Sequence, residues 1–213
     1  RELQAVNVVK LPNGLNFKQQ TVICKQMCAL YNAKAIVIDI NGLGKGLLDY
    51  MLDRNILDDG TELEPYDMIN TDYRSDYRDA KKLVYGIEAQ KNNTEMITNF
   101  INVVEGSILR ILEHFDVNKA LDIPDEDFMV SDVLPFLRTE NFISEVQNIT
   151  VETIPGTGKL KIGQVVKADK DIYSATIQVC WYVMTFCNDA LPDEDEDFAS
   201  FFSGFISQPK IKR

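Results

Sequence analysis

Hydrophobic positions change spacing along the chain, and those changes mark its elements. Ala5 to Leu11 reads as a strand, and Pro12-Asn13-Gly14 is a turn signal. From Phe17 to Tyr31 the positions Phe17, Thr21, Cys24, Met27, Cys28 and Tyr31 follow helical spacing, with Lys18, Gln19, Lys25 and Gln26 on the opposite face. Asn32-Ala33 ends that helix. The run Ala35-Ile36-Val37-Ile38-Asp39-Ile40 is short, apolar and rich in β-branched side chains, as suits a strand covered on both faces. A Gly-rich turn, Asn41 to Gly46, leads into a helix from Leu47 to Arg54. This order predicts an α/β sheet with crossover connections.

The middle is less regular. Tyr66 to Asn70 and Lys82 to Ile87 are expected strands, separated by a polar segment. Thr94 to Phe115 carries the strongest helical stripe, running from Met96 and Ile97 to Leu112 and Phe115, with Gly106 weakening one turn. Val117 to Asp132 is acidic and irregular, and Val133 to Gln147 is helical in part. Two alternating arms around Pro155-Gly156-Thr157-Gly158 predict a β-hairpin over Thr150 to Val166. Ile172 to Asn188 is apolar on nearly all sides and is expected to be a buried helix.

Composition narrows the function. A chain of 213 residues suits one domain with a full core, and no apolar run approaches the length needed to cross a bilayer. No signal peptide opens it, and Arg1 is not an initiator Met, so the sequence reads as a fragment or processed product. A formal net charge of −11 argues against a protein that coats nucleic acid, yet a cation-holding centre is itself acidic. Much of the surplus lies in Asp193 to Asp197, expected to be a solvated linker. Cys24, Cys28, Cys180 and Cys187 lie in apolar stripes without zinc spacing, which points to reduced, packed thiols in a cytoplasmic setting. His114 stands alone at a helix end. Gly156-Thr157-Gly158-Lys159 is no phosphate-binding loop, because Thr153 and Leu160 occupy the positions where that loop needs Gly and Ser or Thr.

Two acidic positions could carry chemistry. Asp39 ends an apolar strand, at the sheet edge where ligands bind, beside a turn whose glycines let another backbone or a nucleic-acid strand come close. A carboxylate there either holds a ligand or satisfies backbone N–H groups of the turn and the next helix; the residues leave both open. Asp169 and Asp171 open the last helix, where an acid can offset orphan N–H groups or be presented to a site. Together they suggest a site for Mg²⁺ or Mn²⁺, which choose oxygen ligands. In a two-metal mechanism one ion would activate the attacking water and the other would stabilise the leaving 3′-oxygen.

Ile36-Val37-Ile38-Asp39-Ile40-Asn41-Gly42-Leu43-Gly44-Lys45-Gly46-Leu47-Leu48-Asp49-Tyr50-Met51-Leu52 resembles the motif of tailed-phage large terminase nuclease domains: an apolar strand, an acid, a Gly-x-Gly turn, then Asp and an apolar residue on a helix. Tyr66 to Asn70 is similar to a family strand ending in Asn. Lys170-Asp171-Ile172-Tyr173-Ser174-Ala175 resembles the late motif, an acid opening a helix. The likeness spans about residues 5–188. It implies a ribonuclease H-like mixed sheet flanked by helices over residues 1–190, with the hairpin as an appendage and 191–213 as an acidic linker and tail.

The resemblance also implies a function. It is a metal-dependent endonuclease that cuts concatemeric viral double-stranded DNA during genome packaging in the host cytoplasm. Expected partners are an ATPase domain, a small terminase and the portal, on which the chain could form a homo-oligomer. Asp39 and Asp171 would be metal-binding catalytic acids, with Asp169 as an alternative ligand and Asp49 supporting the turn. Lys159, Lys161, Lys167, Gly42 and Gly44 would lie along the DNA. The chain departs from the family in one respect: no acid-bearing opening strand precedes Asp39, and Glu2 has no apolar run leading to it. That departure favours the alternative of a non-catalytic packaging or assembly module with the same fold. A resolvase or another ribonuclease H-like nuclease is a further alternative. Phe198 to Arg213 could be a short binding helix or pack on its own domain.

Overall fold

The computed structural model describes residues 2–42, 44–112 and 130–187. The expectations for Leu43, His114, the acidic linker and the Phe-rich tail lie outside them. Its centre is a parallel three-stranded sheet of β2 (Ile36–Asp39), β6 (Lys81–Ile87) and β5 (Tyr66–Met68), with β6 in the middle. The fold is therefore mixed α/β. Three two-stranded pairs surround that sheet: β1 (Leu3–Gln4) with β7 (Leu109–Arg110), β3 (Asn55–Ile56) with β4 (Glu62–Leu63), and β8 (Ile149–Thr153) with β9 (Leu160–Gln164). The helices are α1 (Phe17–Leu30), α2 (Gly44–Leu52), α3 (Ala89–Glu105), α4 (Val130–Gln147) and α5 (Asp171–Phe186).

Two apolar clusters surround the sheet. Ile38, Leu48, Met51, Leu52, Tyr66, Met68, Leu83 and Val84 form one, joined by Cys24 and Cys28 of α1. Ile87, Met96, Phe100, Val103, Phe142, Ile172, Tyr173, Ile177, Cys180 and Trp181 form the other, joined by Val37 and Tyr85. Ile36 and Ile38 thus serve one cluster and Val37 the other, as the period-2 alternation of a strand requires. The four cysteines are free thiols, and Cys180 is buried as expected.

The α1 helix starts where its capping signal lies: the Asn16 side chain accepts from the Gln19 N–H at 2.9 Å, and the Gln19 side chain accepts from the Asn16 N–H at 3.0 Å. The hairpin pairs Ile149 with Gln164 through Thr153 with Leu160, close to its expected arms.

Five elements differ from the sequence reading, one of them α4, which starts at Val130 in the stretch expected to be irregular and is helical throughout to Gln147. The expected strand Ala5–Leu11 does not form, and the pairing lies just before it at Leu3–Gln4, because Val6 to Leu15 makes no backbone–backbone hydrogen bond among the described residues. The long helix starts at Ala89 rather than Thr94 and stops at Glu105, where Gly106 closes it and Ser107 takes φ 53. Ile108, Ile111 and Leu112 therefore leave its stripe. The helix after the Gly turn begins earlier, at Gly44. The last helix is not buried all round, since Val179 and Phe186 are 48% and 52% exposed. Among the described residues no helix is long and apolar enough to cross a membrane.

Sequence spacing placed Lys25 on the polar face of α1, yet it is only 1% exposed. Its Nζ donates to the Asp53 carbonyl at 2.6 Å and the Glu64 carbonyl at 2.8 Å, over the Tyr66 ring. It ties α1 to the chain on either side of the β3–β4 hairpin. Burial pushes its pKa down to about 8, against the opposing charge of Asp53. The unfolded chain then binds more protons than the folded one between about pH 8 and 10.5, so this group adds stability as pH rises through that window. Burial also pushes Cys28 up to about 11, which acts oppositely from about pH 9 to 11. The comparison with Lys25→Met isolates the lysine: urea unfolding across pH 7.5–10.5 is expected to show a rise in wild-type stability, relative to the variant, that follows the lysine titration.

Candidate functional site

Asp39 ends β2 beside Ile87, its partner in the last register of β6, and Glu88 leads directly into α3. The carboxyl ends of parallel strands and the start of a helix therefore meet at one edge. Asp39 Oδ1 accepts the Asn41 N–H at 3.1 Å and lies 3.5 Å from the Ala89 N–H, a marginal contact. One oxygen thus holds the turn after β2 and the first residue of α3. Oδ2 makes no hydrogen bond among the described residues. Of the two roles left open by sequence, the backbone-binding one is present in the geometry, and half the carboxylate stays free for another.

The turn itself is tight. Gly42 has φ +56, and a Cβ added at Gly44 would lie 1.6 Å from the Asp39 carbonyl oxygen. Gly46 packs on the Phe17 ring, where a Cβ would approach to 2.6 Å. These glycines let α2 start directly behind the strand and draw α1 in against it. The Asn41 Nδ2 is buried without a hydrogen-bond partner among the described residues, an orphan donor in the same turn. Such a donor suits an incoming phosphate oxygen, not a cation.

Neighbouring polar residues brace this edge. Asn70 imitates a strand residue: Nδ2 donates to the Gly86 carbonyl at 2.8 Å, and the Gly86 N–H donates to Oδ1 at 3.0 Å. Asp49 is exposed and accepts the Tyr73 hydroxyl at 2.8 Å, which raises the Tyr73 pKa. Its partner is therefore the loop after β5, not the Gly-rich turn.

The first turns of α3 also face the hairpin. Leu160 N–H donates to Thr94 Oγ1 at 3.1 Å. Gln90 to Glu95 and Ile154, Thr157 to Lys161 enclose a cleft of about 590 Å³ that includes Lys91, Lys159 and Lys161. Asp39 and two of the expected DNA-contacting lysines thus flank the same helix start. Lys167 is exposed beyond the hairpin and does not line the cleft.

Asp171 opens α5, and Asp169 lies just before it. Asp171 is exposed in the first turn of α5 and lines a cavity of about 740 Å³ between that helix and Leu3 to Gly14. Asp169 pairs with Lys10, whose Nζ lies 2.7 Å from Oδ2; the hydrogen bond and charge hold its carboxyl below the usual range. The N–H of Tyr173 at the start of α5 is taken by Glu145 Oε2 at 2.8 Å, so the capping acid comes from α4. Sequence reasoning missed Glu145 and Lys10 because each acts through a partner distant in the chain.

No group of three or more His, Cys, Asp or Glu able to hold a metal occurs among the described residues. The carboxylate of Asp39 offers suitable donor chemistry for Mg²⁺, but the ligand count for a complete two-metal centre is not met here. Compared with protein-family models, curated proteins and solved structures, the chain matches none.

The turn gives a direct prediction. Gly44→Ala is expected to lose about 1–3 kcal/mol, because its Cβ displaces the Asp39 carbonyl. Gly42→Ala meets no atom within 4 Å and is expected to cost only its left-handed backbone strain, about 1 kcal/mol. Chemical denaturation of the two variants checks the order; a Gly44 variant as stable as wild type contradicts the close approach.

Proposed function

We propose that the chain forms part of a metal-dependent endonuclease of the large terminase type, cutting viral double-stranded DNA during packaging in the host cytoplasm. The supporting observation is the placement of Asp39: a half-free carboxylate at the carboxyl edge of a parallel sheet, beside a glycine turn with an orphan donor and a lysine-bearing cleft. In this reading Asp39 is one ligand of a Mg²⁺ or Mn²⁺ centre that is only partly contained in the described residues. Asp171 is assigned as a second acid on the motif resemblance alone. A bound divalent ion would supply the positive charge toward phosphate that a chain of net charge −11 lacks. The ATPase domain, small terminase and portal follow as partners from the same resemblance, as does a ribonuclease H-like identity for the fold.

A second reading is favoured by one specific observation, the lack of a three-acid cluster among the described residues. It makes the chain a non-catalytic packaging or assembly module that binds DNA without cutting it.

Two measurements separate these readings. Cleavage of plasmid DNA in Mn²⁺ is expected to fall on the order of 100-fold or more in Asp39→Asn, which removes charge while retaining an acceptor for the turn. Asp171→Asn is expected to do the same. Wild-type protein that binds DNA and does not cut it in either metal leaves the assembly module. For the cleft, Lys159→Ala and Lys161→Ala are each expected to weaken duplex binding whatever the sequence and to reduce the salt slope by about one. Fluorescence anisotropy across a salt series reads this, and unchanged slopes remove the hairpin from the DNA path.

A further inference from the structure

The segment from Val6 to Gly14 crosses α5 as a strap. Its ends are fixed by backbone pairing: Ala5 N–H donates to the Arg110 carbonyl at 2.9 Å, and Asn16 begins the capping box of α1. Between them no backbone–backbone hydrogen bond joins Val6 to Gly14 to the rest of the described chain, and the Leu15 carbonyl just beyond accepts Gln20 Nε2 at 2.8 Å. Only side chains hold this stretch. Val8 packs against the larger core cluster, Asn7 Nδ2 donates to the Tyr31 hydroxyl at 2.7 Å, and Lys10 Nζ donates to Asp169 Oδ2 at 2.7 Å. Val6 and Val9 remain 55% and 48% exposed.

A segment with few buried contacts and no backbone bonds lies at the low-stability end of a structure. The Lys10–Asp169 pair bridges 159 positions of chain and meets the strap at its middle. It also stands beside the carboxylates of Asp171 and Glu145, both of which act on the same ammonium. The charge of Lys10 is thus satisfied at the start of α5, and Asp169 Oδ2 is already engaged.

We propose that Asp169 is the fixed end of a latch, with Lys10 as its moving end, that keeps the strap closed over α5, and that Asp169 is not a metal ligand. When the latch opens, the strap swings away from the cavity wall and uncovers Ile172 and Cys180, the buried residues of α5 that line it. The inference stands apart from the nuclease reading, because Asp39 and Asp171 keep their assignments if it fails.

Native-state cleavage by thermolysin, mapped by mass spectrometry within residues 6–12, reads the strap directly. Asp169→Asn and Asp169→Lys are expected to speed that cleavage about two- to five-fold, the range for an exposed ion pair. The exchanged pair, Lys10→Asp with Asp169→Lys, is expected to recover part of the wild-type protection relative to Asp169→Lys, since the acid at position 10 regains a partner but faces Asp171 and Glu145. Circular dichroism verifies that the helices persist in each variant. Cleavage at the wild-type rate in both single variants, or no recovery in the exchanged pair, overturns the latch. A loss of Mn²⁺ binding by electron paramagnetic resonance in Asp169→Asn, with strap cleavage unchanged, assigns Asp169 to a metal instead. DNA cleavage is not used in either arm, so failure of the latch and failure of the nuclease reading remain distinct.

Discussion

Strand β6 has a hydrogen-bonded neighbour on each edge, with Val84 and Ile87 almost fully buried. A backbone placed so deep must pair nearly all its N–H and C=O groups, and parallel partners from distant parts of the chain supply them. That constraint brings Ile36–Asp39 and Tyr66–Met68 alongside Lys81–Ile87. It requires the chain to cross over between strands, and so places helices around the sheet. Where β5 ends, the Asn70 side chain continues the pairing to Gly86. The position of Asp39 at the sheet edge follows from this register.

Several polar groups taken out of water are satisfied by backbone, while six buried side-chain atoms among the described residues, Asn41 Nδ2 included, have no partner. Lys25 binds two carbonyls, Asn70 binds both groups of Gly86, Glu145 caps α5, and one oxygen of Asp39 holds a turn. The bonds of Lys25, Asn70 and Glu145 join segments far apart in sequence, while Asp39 acts mainly on its own turn. The free oxygen of Asp39 and the orphan donor of Asn41 share one turn. The acids at the start of α5 carry no such signal, since Asp169 is paired and Asp171 is exposed.

The Gly-rich turn was legible from sequence because its demands are local. Gly42 needs a left-handed backbone, Gly44 needs room for the Asp39 carbonyl, and both requirements fall within five residues of the acid. The two arms of the β8–β9 hairpin were legible for the same reason. Lys25 was misread as a solvated face residue: amphipathic spacing identifies the polar side of a helix, but not whether carbonyls from two later segments will close over it. The long helix was read too far because its apolar spacing continues past Gly106, while the backbone does not.

Sequence alone determined the short-range features: which stretches form helices and strands, where the glycine turn lies, and which acid ends an apolar strand. These depend on periodicity and on the conformations a few adjacent residues allow. Tertiary structure decided what each polar side chain meets, and with it the fate of the candidate acids. Ala5–Leu11 has the pattern of a strand but lacks a backbone partner, and Asp169 has the charge of a ligand but meets Lys10. A hydrogen bond or ion pair needs two groups in register, and only the folded chain sets the second one in place.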